Sequence, residues 1–362
     1  MVLESSRCEN GPESRLGLCR DAPRTARRRS IAAAAGLTDT PRVDGSDQVV
    51  LVTGALGNVG TSVVGTLLRS GREVTTLDLD TPANRWRAWR LHHPKLRHVW
   101  ADVTDRDAID AALDGVAGVV HLAAMIPPGS DRAPGVAARV NVEGTRVVVD
   151  AIAAARRPIR LVHASSLSVY GRTQHMPPPR HVDDPVNPCD HYGRTKRDAE
   201  LIVRGAEIDW VVLRLGAVLP LRLPLLIDPI MFEVPLSDRI EFVHAVDVGT
   251  AISNALDRPQ VSHRVFNVAG GERCRLRQRE VISRPLERLG VGMLPDAAFT
   301  SVPFHTDWLD TEESERLLDY QRHSFDDYVE EVGRRYRWRR PVVRTFAPLI
   351  RRRMLRRSPY WR

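Results

Sequence analysis

Gln48-Val49-Val50-Leu51-Val52-Thr53-Gly54-Ala55-Leu56-Gly57-Asn58-Val59-Gly60, continuing as Thr61-Ser62-Val63-Val64-Gly65-Thr66-Leu67-Leu68-Arg69-Ser70-Gly71, is the stretch that decides the fold. A short apolar run rich in β-branched residues, a glycine-rich turn and an amphipathic segment ending at glycine predict a strand, a tight turn and a helix. Gly54 allows the turn, Gly57 lets the backbone approach a pyrophosphate, and Gly60 lets the helix pack closely on the strand. The helix start at Asn58, Val59 and Gly60 offers phosphates amides that lack intrahelical partners, together with the positive end of the helix dipole. A second strand-like run, Glu73–Leu77, follows and ends in Asp78, eighteen residues after Gly60. A carboxylate there is placed to hydrogen-bond a ribose diol, and it would repel a 2′-phosphate. The expectation is a dinucleotide site that favours NAD over NADP.

Some 130 residues downstream, one of the two lysines in this arginine-rich chain completes Tyr192-Gly193-Arg194-Thr195-Lys196. On a helix, positions i and i+4 share a face, so phenol and ammonium project into the same space. A free phenol has a pKa of about 10, too high for proton exchange at neutral pH. An adjacent cation is a direct means of lowering it. Alone the spacing is weak; downstream of a dinucleotide turn it points to an acid–base pair. Alternating strands and helices from 48 to 330 imply an α/β fold, a Rossmann-type doubly wound parallel sheet over one large core.

Several further motifs, in order, resemble those of an extended short-chain dehydrogenase/reductase of the NAD-dependent epimerase/dehydratase family, over about residues 48–330. The glycine motif reads Thr53-Gly54-x-x-Gly57-x-x-Gly60. Asp102-Val103 is similar to the family's adenine-contacting pair. Leu122, Ala123 and Ala124 close a fourth strand beside the cofactor, and Asn141 to Thr145 matches a helix start that braces the sheet. The run Ala164-Ser165-Ser166-Leu167-Ser168-Val169-Tyr170-Gly171 matches the strand that carries the catalytic hydroxyl. The resemblance implies Tyr192 as general acid/base, Lys196 as its pKa modifier and nicotinamide-ribose partner, and Ser166 as donor to the same substrate oxygen. Ser165 and Ser168 serve as controls, because one serine of the three should matter to rate. NAD is the implied cofactor and carries the hydride.

Two departures narrow the reaction. The family's 4,6-dehydratases carry an Asp-Glu pair after the catalytic hydroxyl, where this chain has Leu167 and Ser168, so dehydration is disfavoured. Many nucleotide-sugar members have an Asn where Leu213-Arg214-Leu215-Gly216-Ala217 places Ala217. That leaves three readings open: an oxidoreductase or epimerase on a nucleotide sugar, a hydroxysteroid dehydrogenase or carbonyl reductase-like enzyme on an apolar substrate, or a non-catalytic NAD-binding sensor. The intact Ser166, Tyr192 and Lys196 disfavour the last. The substrate-binding part is expected mainly at 173–190, 219–245 and 271–330. His244 and Asp247, in a late family-like motif, read as structural.

The formal net charge is +8, distributed unevenly. Residues 1–47 carry +1 and residues 331–362 carry +11, which leaves −4 for the catalytic stretch. A nucleic-acid partner therefore has no support there. Residues 1–47 read as a disordered extension. Arg27-Arg28-Arg29 is followed by too short an apolar stretch for an export signal. In 341–357, Val342, Phe346, Ile350 and Met354 recur every four residues among dense arginines, the pattern of a basic amphipathic helix on a membrane surface or packed on its own domain. A homodimer is also open. No apolar run is long enough to span a bilayer. Cys8, Cys19, Cys189 and Cys274 show no metal-ligand spacing, so no metal is expected, and they suggest reduced thiols in a cytoplasmic setting.

Overall fold

β-branched runs from residue 48 onward form strands, and helical crossovers return the chain for parallel pairing. The computed structural model describes residues 48–221 and 228–362. The strands are β1 (Val49–Thr53), β2 (Glu73–Asp78), β3 (Leu96–Trp100), β4 (Val116–His121), β5 (Arg160–Ser166), β6 (Asp209–Leu215), the short β7 (Arg239–Glu241) and β8 (Arg264–Val268). All but β7 form one sheet in the order 3-2-1-4-5-6-8, and every pair in it is parallel. The strand order reverses between β1 and β4, so a crevice opens beyond their carboxyl ends, where Thr53 pairs with His121.

The helices of this part are α1 (Asn58–Arg69), α2 (Pro82–Arg90), α3 (Arg106–Ala112), α4 (Gly129–Arg132), α5 (Pro134–Ala138), α6 (Gly144–Ala154), α7 (His191–Arg204) and α8 (Ala245–Asp257). On one face α1 and α8 bury Val63, Leu67, Val248 and Ile252 against Val50, Val52 and Val162. On the other, α3, α6 and α7 bury Ile109, Val148, Ile152 and Val203 against Leu51, Val119 and Leu161. Covering both faces explains why these strands read as apolar runs and not as alternation.

A third core holds the C-terminal part together. There β7 pairs antiparallel with β9 (Arg275–Arg277), and Phe232, Phe242, Leu286, Phe325 and Tyr328 pack beside them. Its helices are α9 (Gln278–Leu289), α11 (Phe325–Arg335), α12 (Arg340–Thr345) and α13 (Ala347–Leu355), while α10 (Glu312–Leu318) buries Leu317 and Leu318 in the first core, beside β8 and α8. His244 and Asp247 are structural there: the His244 ring accepts the Val246 amide, and Asp247 accepts the amides of Arg322 and His323.

The boundary expected at 330/331 falls inside α11, and Val332, Tyr336 and Met354 are buried in the same core. The expected amphipathic helix over 341–357 is two helices that meet at Phe346, with Pro348 in the first turn of α13, where its missing N–H is not needed. Its apolar stripe divides accordingly: Met354 is buried and Ile350 packs on the core, while Val342 and Phe346 face outward. The extension 1–47, with Cys8 and Cys19, lies outside the described residues. So do residues 222–227 of the expected 219–245 substrate segment.

A buried ion pair ties β5, β6 and α7. Arg214 and Glu200 are each 2% exposed. The Arg214 guanidinium donates to both Glu200 oxygens, at 3.0 and 2.8 Å, and to the Tyr170 hydroxyl at 2.9 Å. Ser165 Oγ donates to the same carboxylate at 2.5 Å. Arg214→Met should lower the unfolding free energy by about 3–5 kcal/mol, because it strands a buried carboxylate. The Arg214→Met/Glu200→Met double variant should lose less than the single one. Urea midpoints of the two variants check this ordering.

Candidate active site

Asp190 caps α7, its Oδ1 accepting the Gly193 amide at 3.2 Å. That cap starts the helix beside the carboxyl end of β5, so Tyr192 falls in the first turn and Lys196 one turn later. Lys196 is 4% exposed, and its Nζ donates to the Ala164 carbonyl at 2.8 Å. Its Nζ lies 6.0 Å from the centre of the Tyr192 ring. Ser166 ends β5, and its Oγ accepts from Ser168 N at 3.3 Å and Ser168 Oγ at 2.8 Å. It also lies near enough to the Tyr192 phenol to favour its ionised form. The three residues singled out from sequence therefore meet at one place. The control serines separate: Ser165 turns to Glu200 on the opposite side of the strand, and Ser168 supports Ser166.

Electrostatics at this cluster differ from the expectation. Burial pushes the Tyr192 phenol up to about 12, against the Ser166 hydroxyl and with a smaller upward push from Asp190. Burial depresses Lys196 to about 8, opposed by the Glu200 carboxylate. The expected lowering of the phenol by Lys196 is thus not what this geometry gives. The ammonium is engaged by the Ala164 carbonyl, and desolvation dominates.

Two histidines near Lys196 escaped the sequence reading. His121 bonds Thr53 Oγ1 at 2.7 Å and Thr145 Oγ1 at 3.0 Å, and burial, then the Lys196 charge, hold it down to about 3. Its ring centre is 5.3 Å from that of His163, a buried side chain whose two ring nitrogens have no partner. Both imidazoles are neutral near pH 7. Asn141 lies in a π-helical turn, Arg139–Glu143, and bonds the Met125 amide at 2.7 Å and Thr195 Oγ1 at 2.9 Å. Its role as a brace follows from these bonds.

At Gly54 and Gly60, on either side of the β1–α1 turn, there is no space for a Cβ. A Cβ on Gly54, whose φ is +68°, would lie 2.7 Å from Ala123 N, and one on Gly60 would lie 2.3 Å from Gly54 O. Thr53 Oγ1 accepts the Ala123 amide at 3.3 Å, and the Leu122 amide donates to Thr53 O at 3.1 Å, which brings Leu122, Ala123 and Ala124 alongside. Asn58 Nδ2 reaches Val218 O at 3.4 Å, while Val59 packs on the core under the helix. Asp102 closes a local turn by accepting from Thr104, and Val103 is buried against Gly144.

These residues fit a dinucleotide. α1 has no side-chain cap and no acid in its first turn, so its leading amides and dipole are available to an anion. Asp78 takes the Leu56 amide at 3.2 Å, and burial raises its carboxyl to about 7. A second cluster comes from across the fold. Cys189 Sγ is 4.0 Å from His305 Nδ1, and Asp190 Oδ2 is 3.9 Å from His305 Nε2. Sequence spacing could not reveal it, because His305 belongs to the C-terminal part.

The model of the NAD dependent epimerase/dehydratase family matches residues 50–222. A dTDP-glucose 4,6-dehydratase of Streptomyces antibioticus is 30% identical over 272 residues, covering 67% of this chain and 78% of that protein. An N-acetyl-alpha-D-glucosaminyl-diphospho-ditrans,octacis-undecaprenol 4-epimerase of Escherichia coli O157:H7 is 34% identical over 157 residues, 43% of this chain and 42% of that one. With several curated relatives the match spans under half of their length, from 37% to 47%. Among solved structures, a dTDP-glucose 4,6-dehydratase of Streptomyces venezuelae with NAD and TYD bound is 25% identical, with a TM-score of 0.70. The alignment covers 82% of this chain and 98% of that one. A UDP-glucuronic acid 4-epimerase from Bacillus cereus shares the fold at 22% identity and a TM-score of 0.66, over 80% of this chain and all of that one. Fold and site together define the class as an extended short-chain dehydrogenase/reductase. Within it, this chain belongs to the NAD-dependent epimerase/dehydratase family, whose cofactor is NAD.

Asp78 gives a signed prediction. Its folded pKa, about 7, lies above the ordinary aspartate value of 3.8, so the folded protein holds a proton that the unfolded chain has lost between those values. Its contribution to stability is therefore present at low pH and lost as pH rises through 7. Asp78→Asn should raise the melting temperature by about 2 °C or more at pH 8 and by less at pH 5, while weakening NAD binding. Calorimetry at the two pH values, with and without NAD, measures both effects.

Proposed function

We propose that this protein is an NAD-dependent oxidoreductase or epimerase acting on a secondary alcohol or ketone of a sugar carried on a diphosphate, with Tyr192 as its acid/base. The observation that carries the reading is the convergence of Ser166, Tyr192 and Lys196 at the carboxyl end of β5, with no titratable group at Leu167 or Ser168. The sugar and diphosphate come from the relatives: dTDP-sugar and UDP-sugar enzymes among them, and one named for a sugar on undecaprenol diphosphate.

NAD, when bound, supplies the hydride acceptor and donor. Held by the α1 amides and by Asp78 at the ribose, it would lie across the crevice toward Ser166. Tyr192 Oη takes the proton of the substrate hydroxyl during oxidation and returns it during reduction. Ser166 Oγ donates to the same oxygen and fixes its position. Lys196 has three N–H donors, so it can keep Ala164 O while turning another toward the phenol or a ribose. A donor turned that way would set positive charge beside a phenol that burial holds up at about 12. Epimerisation and net oxidation use the same groups. Dehydration needs a further acid and base that positions 167 and 168 lack.

A second reading, an apolar ketone or alcohol, has support from Ala217, which stands where the family places an Asn, and from Leu219 and Leu221 after it, all three packed on the C-terminal core. The free Cys189 and Cys274 fit a reducing, cytoplasmic compartment. Among the described residues no helix is long and apolar enough to cross a membrane.

Tyr192→Phe should lower kcat by roughly 10²–10⁴-fold with NAD affinity near wild type, and Ser166→Ala should lower it less. Ser165→Ala should act on stability and not on kcat. NMR of dTDP- and UDP-hexoses incubated with enzyme and NAD distinguishes the reactions. Inverted or oxidised C4 is the expected outcome, and a 4-keto-6-deoxy product would overturn the exclusion of dehydration.

A further inference from the structure

The C-terminal helices present a face that neither the core nor the active site uses. Backbone bonds of the i to i+4 kind run from Arg340 N to Tyr336 O, Val343 N to Arg339 O, Phe346 N to Val342 O and Ile350 N to Phe346 O. Helical phase therefore continues across the junction of α12 and α13. Positions 336, 343, 350 and 354 share one side and pack on the C-terminal core. Positions 338, 342, 346 and 349 share the other side. There Trp338 is 81% exposed, Val342 59%, Phe346 53% and Leu349 64%. Flanking them, Arg339, Arg340, Arg344, Arg352, Arg353 and Arg356 are exposed, and none forms an ion pair with an acid among the described residues. Residues 331–362 as a whole carry +11.

We infer that this face docks on the surface of an anionic lipid bilayer, with Trp338, Phe346 and Leu349 in the headgroup boundary and the arginines on lipid phosphates. A surface of interleaved charge and large apolar side chains fits that partner on both counts. A nucleic acid would use the arginines but leave Val342 and Leu349 in water. A second copy would set two strongly positive faces against each other. The face is held rigidly: Met354 is buried, Ser358 Oγ donates to Ala298 O at 2.6 Å, and Tyr360 donates to Glu233 at 2.6 Å. It is also joined to the segment after β6, where Tyr328 and Tyr336 donate to the carbonyls of Pro220 and Leu221, each at 3.0 Å. Docking would thus hold the segment after β6 at a fixed position relative to the membrane surface.

The test is co-sedimentation of the full chain with phosphatidylcholine vesicles and with vesicles that also contain phosphatidylglycerol. The full chain should partition onto the anionic vesicles at least about tenfold better, and salt near 1 M should abolish the difference. The full-length Trp338→Ala/Phe346→Ala/Leu349→Ala variant should keep its melting temperature and lose roughly tenfold or more of the partitioning. Equal partitioning onto the two vesicle types, or unchanged partitioning of the variant, overturns the inference. So does tighter capture by duplex DNA that the variant retains, or gel filtration in which the variant dissociates a wild-type oligomer.

Discussion

The close approach of β1 and α1 is the constraint on which the site rests. Gly54 and Gly60 leave no room for a Cβ, so the helix begins directly against the strand, with nothing but backbone at its mouth. The leading amides of α1 then face the crevice between β1 and β4, where the strand order reverses. Everything else is positioned relative to that edge: Asp78 at the end of β2, Ala123 beyond β4, Ser166 at the end of β5. One tight contact thus fixes the phosphate end of the crevice, and the parallel register carries its geometry across four strands to the serine.

The acid–base end is organised differently, by burial. Lys196, His121 and His163 are buried and Tyr192 is partly buried beside them, and each is shifted toward its neutral form. The permanent charges nearby, Arg214 and Glu200, are paired and lie on the opposite side from Ser166. Lys196 is therefore the cation within reach of the phenol, and its carbonyl contact decides how much of its field Tyr192 feels. A phenol near 12 beside an amine near 8 is a pair whose proton affinities respond strongly to any nearby change in charge.

Much of this was legible in the chain. The glycine turn, the β-branched runs and the helix spacing report local rules, and they predicted the doubly wound sheet, Asp78 after the second strand and the Tyr192–Lys196 pair, while Ser166 came from the family resemblance. What escaped depended on distant segments meeting. Nothing local links His305 to Cys189, or His163 to Lys196. The state of the Tyr192 phenol was misjudged because spacing reveals a neighbouring cation but not the desolvation that outweighs it. The tail was only partly legible for a related reason: a four-residue period does not say which half of a stripe finds a core. Met354 found one, and Phe346 did not.

Asp190 joins these parts in a way no single motif conveys. One of its oxygens holds the first turn of α7, the other faces His305 from the C-terminal part, and its charge bears on the Tyr192 phenol. His305 of the C-terminal part therefore stands against the same carboxylate that starts the helix carrying Tyr192 and Lys196. The first turn of α7 is thus anchored by a residue that the C-terminal part also touches, so the two parts meet at the start of the catalytic helix and not only through their cores.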